Sequence, residues 1–205
     1  GAVRLPMGAG GRDVRLTGGE HGGRLLEVPR DGTRPTQDKV RAAIFSSLAA
    51  MVPGARVLDL FAGTGAMGLE AWSRGAAWVD WVENGKSALK VLRDNVESLG
   101  VPPEAGRVLA SDAFRVLAFP CAGEGVDLVL ADPPYAEAKQ NGWLPKLAGL
   151  LAQNDWVKPG GVFVFETEGK DPPPKLPGWR WVRDKTYGST RVWIWVREAA
   201  DSAST

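Results

Sequence analysis

The sequence predicts an α/β fold: a mostly parallel sheet of seven strands with helices on both faces, ending in an antiparallel hairpin and carrying a small N-terminal β-hairpin extension. Three observations support it. Between Arg56 and Glu166, short apolar runs alternate with amphipathic stretches, the pattern of strand–helix–strand units with right-handed crossovers. The first run, Val57-Leu58-Asp59-Leu60, leads into Phe61-Ala62-Gly63-Thr64-Gly65, a glycine turn of the kind that joins a buried strand to a helix start. After Pro172-Pro173-Pro174 the alternation stops, and two strand-like runs follow with no helix between them.

In chain order, Gly1–Gly11 lacks periodicity and reads as a loose tail. Val14–Thr17 and Arg24–Val28 read as short strands around a mobile loop over 18–23, which holds four glycines and His21, expected to be a solvated polar residue. Residues 1–35 form this tail and basic hairpin, 36–198 the main domain, and 199–205 a frayed end. In 37–48, Val40, Ile44, Phe45 and Leu48 recur at helical spacing, with Thr36 as N-cap and Asp38 favourable to the helix dipole. Strands follow at 56–60, 78–83, 107–111, 126–131 and 161–166, with helices at 66–73, 86–99, 113–117 and 142–153 between them. The final hairpin pairs 179–185 with 191–196, and the nine tryptophans are expected mainly in the core and on sheet faces.

Composition narrows the function. With 205 residues there is room for one well-buried domain and a small extension. Lys+Arg number 25 against 24 Asp+Glu, so overall charge points to no partner, although eight basic residues against five acids up to Arg41 suit phosphate contact. The single Cys121 excludes an internal disulfide, and no Cys/His cluster has metal-ligand spacing, so no metal is expected. No apolar run reaches the ~20 residues needed to span a bilayer, and a cytoplasmic, soluble, monomeric protein is the expectation.

The glycine turn is built to hold a nucleotide-like molecule. Gly63, Gly65 and Gly68 satisfy G-x-G-x-x-G, and Glu83 stands where a ribose-binding acid belongs, so NAD and S-adenosylmethionine both fit this stretch. Asp59 is placed to accept hydrogen bonds from the loop or from a cofactor ammonium. Gly63 and Gly65 admit close backbone approach. At the end of the third central strand, Asp112 and the Ala113 amide could meet an adenine ring, or Asp112 could simply cap the short helix after it.

Asp132-Pro133-Pro134-Tyr135, closing the strand Val126–Ala131, favours methyl transfer. An exocyclic amine on a base is a poor nucleophile because its lone pair is delocalised into the ring. The Asp132 carboxylate and the Pro133 carbonyl can take its two hydrogens and aim the lone pair at a methyl group, while the two prolines fix the backbone and remove competing N–H donors. Tyr135 can stack on the base. A terminal antiparallel hairpin on a parallel sheet also fits S-adenosylmethionine methyltransferases, with their Rossmann-like fold, better than dehydrogenases.

Over nearly its whole length the chain resembles the RsmD family of bacterial 16S rRNA guanine-N2 methyltransferases. The resemblance rests on Arg15-Leu16-Thr17-Gly18-Gly19, Thr33-Arg34-Pro35-Thr36, Leu58-Asp59-Leu60-Phe61-Ala62-Gly63-Thr64-Gly65, Asp132-Pro133-Pro134-Tyr135 and Tyr187-Gly188. It implies S-adenosylmethionine-dependent methylation of one specific guanine in 16S rRNA or the small ribosomal subunit. Asp59, Phe61, Gly63, Gly65, Glu83, Asp112 and Ala113 would then hold the cofactor, and Arg15, Arg24 and the Arg34 loop would touch RNA or cover the cofactor. A DNA adenine-N6 methyltransferase, a protein glutamine-N5 methyltransferase and a non-catalytic RNA-binding module remain the alternatives.

Overall fold

The computed structural model describes residues 14–29 and 37–200. Its main sheet has seven strands: β3 (Arg56–Leu60), β4 (Trp78–Glu83), β5 (Gly106–Ala110), β6 (Val126–Ala131), β7 (Val157–Thr167), β8 (Trp179–Tyr187) and β9 (Thr190–Arg197). They lie in the order β5-β4-β3-β6-β7-β9-β8, the first five parallel and β9 antiparallel to both its neighbours. The final hairpin thus enters the sheet by its second strand and leaves β8 at the edge. Two short strands, β1 (Val14–Arg15) and β2 (Leu25–Leu26), form a separate antiparallel sheet.

Helices cover both faces of the main sheet. On one face, α1 (Asp38–Ser47), α2 (Ala66–Ser73) and α3 (Lys86–Ser98) pack with the hairpin around Val57, Leu128, Leu130, Val164, Val192 and Ile194. On the other, α4 (Ala113–Leu117) and α6 (Trp143–Gln153) pack on Leu58, Leu60, Val129, Phe163, Trp193 and Trp195. Alternate residues of a strand face opposite sides, so β3, β6 and β7, covered twice, read as near-continuous apolar runs. Five of the nine tryptophans, Trp81, Trp156, Trp179, Trp193 and Trp195, are buried. A short α5 (Tyr135–Gln140), absent from the sequence reading, follows the two prolines.

The N-terminal loop differs from the mobile loop expected. Glu20 and His21 donate their backbone N–H to the Ser73 carbonyl and Oγ at 2.8 and 2.9 Å, and Ser73 Oγ donates to the Gly18 carbonyl at 2.7 Å. His21, expected in solvent, stacks on Trp72 with ring centroids 4.4 Å apart. Beneath the loop, the fully buried Glu70 accepts from Thr17 N and Oγ, Gly18 N, Arg41 Nε and Arg74 Nε at 2.9–3.0 Å. Burial acts to raise the Glu70 pKa, but the hydrogen bonds from Thr17, Arg74 and Arg41 outweigh it and hold the carboxyl below its ordinary range. Glycines free the loop locally, and a buried acid with five donors fixes it globally. The expected cap Thr36 lies outside the described residues, and Gln37 occupies the N-cap of α1 without a side-chain cap bond.

Candidate active site

The sheet register gathers the candidate residues on one edge. Leu60 pairs with Val82 on one side and Ala131 on the other, and Glu83 pairs with Ala110. Phe61, Glu83, Asp112 and Asp132 therefore leave the sheet at nearly the same height, from four neighbouring strands. With strands ~4.8 Å apart, the row from Asp112 to Asp132 spans roughly 14 Å, enough for an extended nucleoside joined to an amino acid. Open α/β sheets bind ligands along this edge.

At its centre is the glycine turn. Gly65 is the N-cap of α2 in the left-handed region, and the Asp59 side chain reaches from β3 to accept the Gly68 N–H of the first helical turn at 2.9 Å. Gly68 is there for packing: a Cβ would lie 2.3 Å from Trp81 Nε1 and 2.8 Å from Val79 Cγ1, so only glycine lets α2 sit this close to β4. At Gly63 the reason differs. Its φ of +54° suits glycine, and a Cβ would meet no protein atom within 4 Å, so the turn is open on the side where a ligand's backbone-like portion would lie.

The acids around the turn divide the work. Glu83 Oε1 accepts the Gly63 N–H at 2.8 Å, and Oε2 accepts the N–H groups of Asn84 and Gly85 at 2.9 and 2.8 Å. The carboxylate thereby fixes the turn and the start of α3, and of its roughly four lone-pair sites one stays available to a ligand hydroxyl. Burial pushes the Asp59 carboxyl well above the ordinary carboxylate range; the Gly68 hydrogen bond opposes this, and the nearby Asp132 and Glu83 charges add to it. A cation entering the turn would relieve that repulsion. Asp112 caps α4, its Oδ1 accepting from Phe114 N at 2.9 Å and Arg115 N at 3.2 Å, which leaves Oδ2 for a ligand. Ala113, the first residue of α4, is buried beside it.

An aromatic cluster that the sequence reading missed completes this end. Phe61 stacks on Trp143 at 5.5 Å with an interplanar angle of 8°, and Phe114 meets both rings edge-on. Phe61 holds a φ of 56°, unusual for a residue with a side chain, and the ring contacts offset the cost. The signal was Trp143 directly after Asn141-Gly142, a large ring at the first position of a helix that starts beside the strand ends.

At the other end, Asp132 is exposed and Pro133 is buried. Pro134 is the N-cap of α5 and its carbonyl accepts the Ala138 N–H at 3.0 Å, so the Pro133 carbonyl lies outside the helical ladder. Tyr135 is half-buried, and its hydroxyl abuts Gly169, where a Cβ would lie 2.5 Å from it. Arg191 holds that neighbouring loop by donating to the Gly169 and Asp171 carbonyls, and Lys139 pairs with Asp171 at 2.9 Å.

Of the three arginines expected to touch RNA, Arg15 and Arg24 are hydrogen-bonded to backbone carbonyls. Arg15 Nη1 donates to the Gly23 carbonyl at 3.2 Å within the hairpin. Arg24 Nη2 donates to the carbonyl of Ser98, the last residue of α3, about 18 Å along that helix from its start near Glu83. Arg34 lies outside the described residues. Asn95 of α3 links the hairpin to the turn: its amide exchanges hydrogen bonds with Glu27 N and O at 2.8 and 3.1 Å and donates to the Thr64 carbonyl at 2.9 Å. Among the described residues no group of three or more His, Cys, Asp or Glu side chains could hold a metal ion, and no helix is long and apolar enough to cross a membrane.

The family described as Conserved hypothetical protein 95 matches residues 14–196. The Ribosomal RNA small subunit methyltransferase D of Escherichia coli K12 is 35% identical over 201 residues, covering 96% of each chain. Its namesake from Haemophilus influenzae is 33% identical, covering 91% of this chain and 94% of its own. The solved structure of the Escherichia coli protein yhhF superposes with a TM-score of 0.81 at 35% identity, covering 92% of this chain and all of that one. With its Rossmann-like methyltransferase fold, glycine turn and Asp-Pro-Pro-Tyr edge, the chain belongs to the RsmD family.

Proposed function

We propose that this protein is an S-adenosylmethionine-dependent rRNA methyltransferase whose acceptor is the exocyclic N2 amine of one specific guanine in 16S rRNA. The carrying observation is the exposed Asp132 standing one strand from the open Gly63 turn, with the Pro133 carbonyl free of the α5 ladder. The relatives named for small-subunit rRNA support the choice of nucleic acid.

The residues fit the cofactor on this structure's own terms: an open glycine, the buried Asp59 beside the Asp132 and Glu83 charges, and an apolar aromatic wall lie in a row. Gly63, Gly65 and Asp59 would hold its amino-acid part, Glu83 its ribose, and Asp112, Ala113 and the Phe61–Trp143 wall its adenine. When bound, it supplies an electrophilic methyl group on a sulfonium. Asp132 and the Pro133 carbonyl accept the two hydrogens of the guanine amine and localise its lone pair. As the nitrogen attacks it gains positive charge, which the Asp132 carboxylate stabilises, so no strong base is needed beforehand. The surplus proton leaves late, by way of Asp132 to water. Tyr135 stacks on the base, and holding both partners in line supplies much of the rate.

The test is incubation with isotope-labelled S-adenosylmethionine and small ribosomal subunits that lack the modification, followed by nucleoside mass spectrometry. Label in N2-methylguanosine is expected. Label in N6-methyladenosine or in protein glutamine would move the acceptor, and no label in any of them would remove the enzymatic reading.

A further inference from the structure

Edge strand β8 carries a second feature that the reaction chemistry leaves unused. Its sequence, Trp179-Arg180-Trp181-Val182-Arg183-Asp184-Lys185-Thr186-Tyr187, holds three cations and one acid. In a regular strand Arg180 and Arg183, three positions apart, would point to opposite faces. Here the register shifts between Trp181 and Arg183: Arg180 pairs with Val196, Trp181 with Trp195, and then Arg183 with Ile194 and Lys185 with Val192. Residues paired across an antiparallel ladder present their side chains on the same face. Ile194 and Val192 belong to the core cluster shared with the hairpin and α1. The bulge thus turns Arg180 onto the face of Arg183 and Lys185, the same sheet face that carries α1 and the hairpin.

The acid goes the other way. Asp184 pairs with Trp193, whose side chain joins the opposite cluster, and there it forms an ion pair with Arg191. Arg180, Arg183 and Lys185 are all exposed, and none has an acidic partner among the described residues. Charges on an edge strand also discourage edge-to-edge pairing, but either sign on either face would serve that purpose. A bulge that sorts one sign onto one face serves a partner of the opposite sign.

The row also has a definite position relative to the reaction. Ala131, Phe165, Trp193 and Asp184 form one line across β6, β7, β9 and β8. One step further towards the catalytic edge, Lys185 is level with Asp132, three strand spacings or roughly 14 Å away. Arg183 and Arg180 continue the row away from that edge, with about 6.8 Å between Arg183 and Lys185.

We infer that Arg180, Arg183 and Lys185 form a phosphate-contacting track for the RNA strand flanking the target nucleotide. This rests on the rRNA reading above and extends it to a surface outside the catalytic edge. Phosphate contacts position a nucleic acid without reading its sequence, so the track fixes how the flanking strand lies while Asp132 and Tyr135 handle the base.

The experiment measures direct binding of a 16S rRNA fragment across a salt series, for the full chain and for the triple variant Arg180→Gln, Arg183→Gln, Lys185→Gln. Each phosphate contact to single-stranded RNA contributes about 0.7 to the slope of log affinity against log salt, so loss of three lowers the slope by about 2. Between 50 and 200 mM salt the wild type then loses about 16-fold more affinity than the variant. Cofactor affinity by calorimetry and melting temperature stay unchanged, and the single variant Lys185→Gln loses about 0.7 of slope. An unchanged slope in a folded variant overturns the track. So does a loss of binding to assembled subunits with none to naked rRNA, which would assign the row to a ribosomal protein. Binding is read without methyl transfer, so failure of the wild type to methylate would count against the reaction alone.

Discussion

Replacing Glu70 with alanine should be among the most damaging single changes outside the catalytic edge. The carboxylate is fully buried, accepts from five donors, and pairs with Arg41, whose side chain is also fully buried. Removing it breaks a buried ion pair and strips the Thr17 and Gly18 amides of their acceptor, at a cost of about 3–5 kcal/mol, even though Arg41 keeps its 2.9 Å pair with Asp38. A domain of this size loses roughly 2–4 °C of melting temperature per kcal/mol, so Glu70→Ala should melt about 6–20 °C below wild type. The pH dependence identifies the cause. A carboxyl with a depressed folded pKa adds stability above its unfolded value of about 4.3 and loses it as pH falls through the folded value. Wild type should therefore lose stability over that acid window relative to Glu70→Gln, in which the position cannot titrate. Urea titrations followed by tryptophan fluorescence at neutral pH and across the window measure both. A neutral-pH difference of under 1 kcal/mol, or parallel pH curves for wild type and Glu70→Gln, would refute this account of the hub.

Asp132→Ala should lower the methylation rate about 10²–10³-fold while cofactor affinity stays within several-fold, as read by single-turnover assay and calorimetry. Because burial raises the Asp59 carboxyl, a cationic cofactor should bind more tightly as pH rises through that group's folded value and should release protons on binding; calorimetry in buffers of different ionisation enthalpy checks this, and Asp59→Asn should abolish the effect. Gly68→Ala should cost about 1–3 kcal/mol in urea unfolding, because the added methyl meets Trp81 and Val79. Gly169→Ala should displace the Tyr135 ring and raise KM for RNA more than it changes cofactor affinity, measured by steady-state kinetics.

Much of the architecture was legible because it is written locally. The runs at Val57–Leu60 and Val126–Ala131 bury both faces, so their apolar continuity announces parallel strands, and glycine spacing fixes the turn between β3 and α2. Asp132-Pro133-Pro134-Tyr135 was visible for the same reason: backbone restriction and chemistry lie in four adjacent residues. What escaped depends on distant partners. Nothing near Gly18 in sequence tells that Glu70 and Ser73 will hold the loop, and glycine content alone suggested mobility. The aromatic wall needs Phe61, Phe114 and Trp143 from three elements. Likewise, the β8 bulge appears only in the pairing with β9, and Tyr135-Ala136-Glu137-Ala138-Lys139-Gln140 is too short and polar to show helical periodicity.

The way Thr17 and Gly18 sit on Glu70 bears on how such a protein could be re-engineered. Trimming the chain ahead of α1 would not yield a leaner catalyst, because Glu70 on α2, still paired with Arg41 and Arg74, would lose its three Thr17 and Gly18 donors and face water it was never shaped to meet. Grafting a foreign hairpin to redirect the enzyme towards another RNA would need to bring matching amides and a hydroxyl at those two positions. The short leading hairpin is also a keystone for its neighbour.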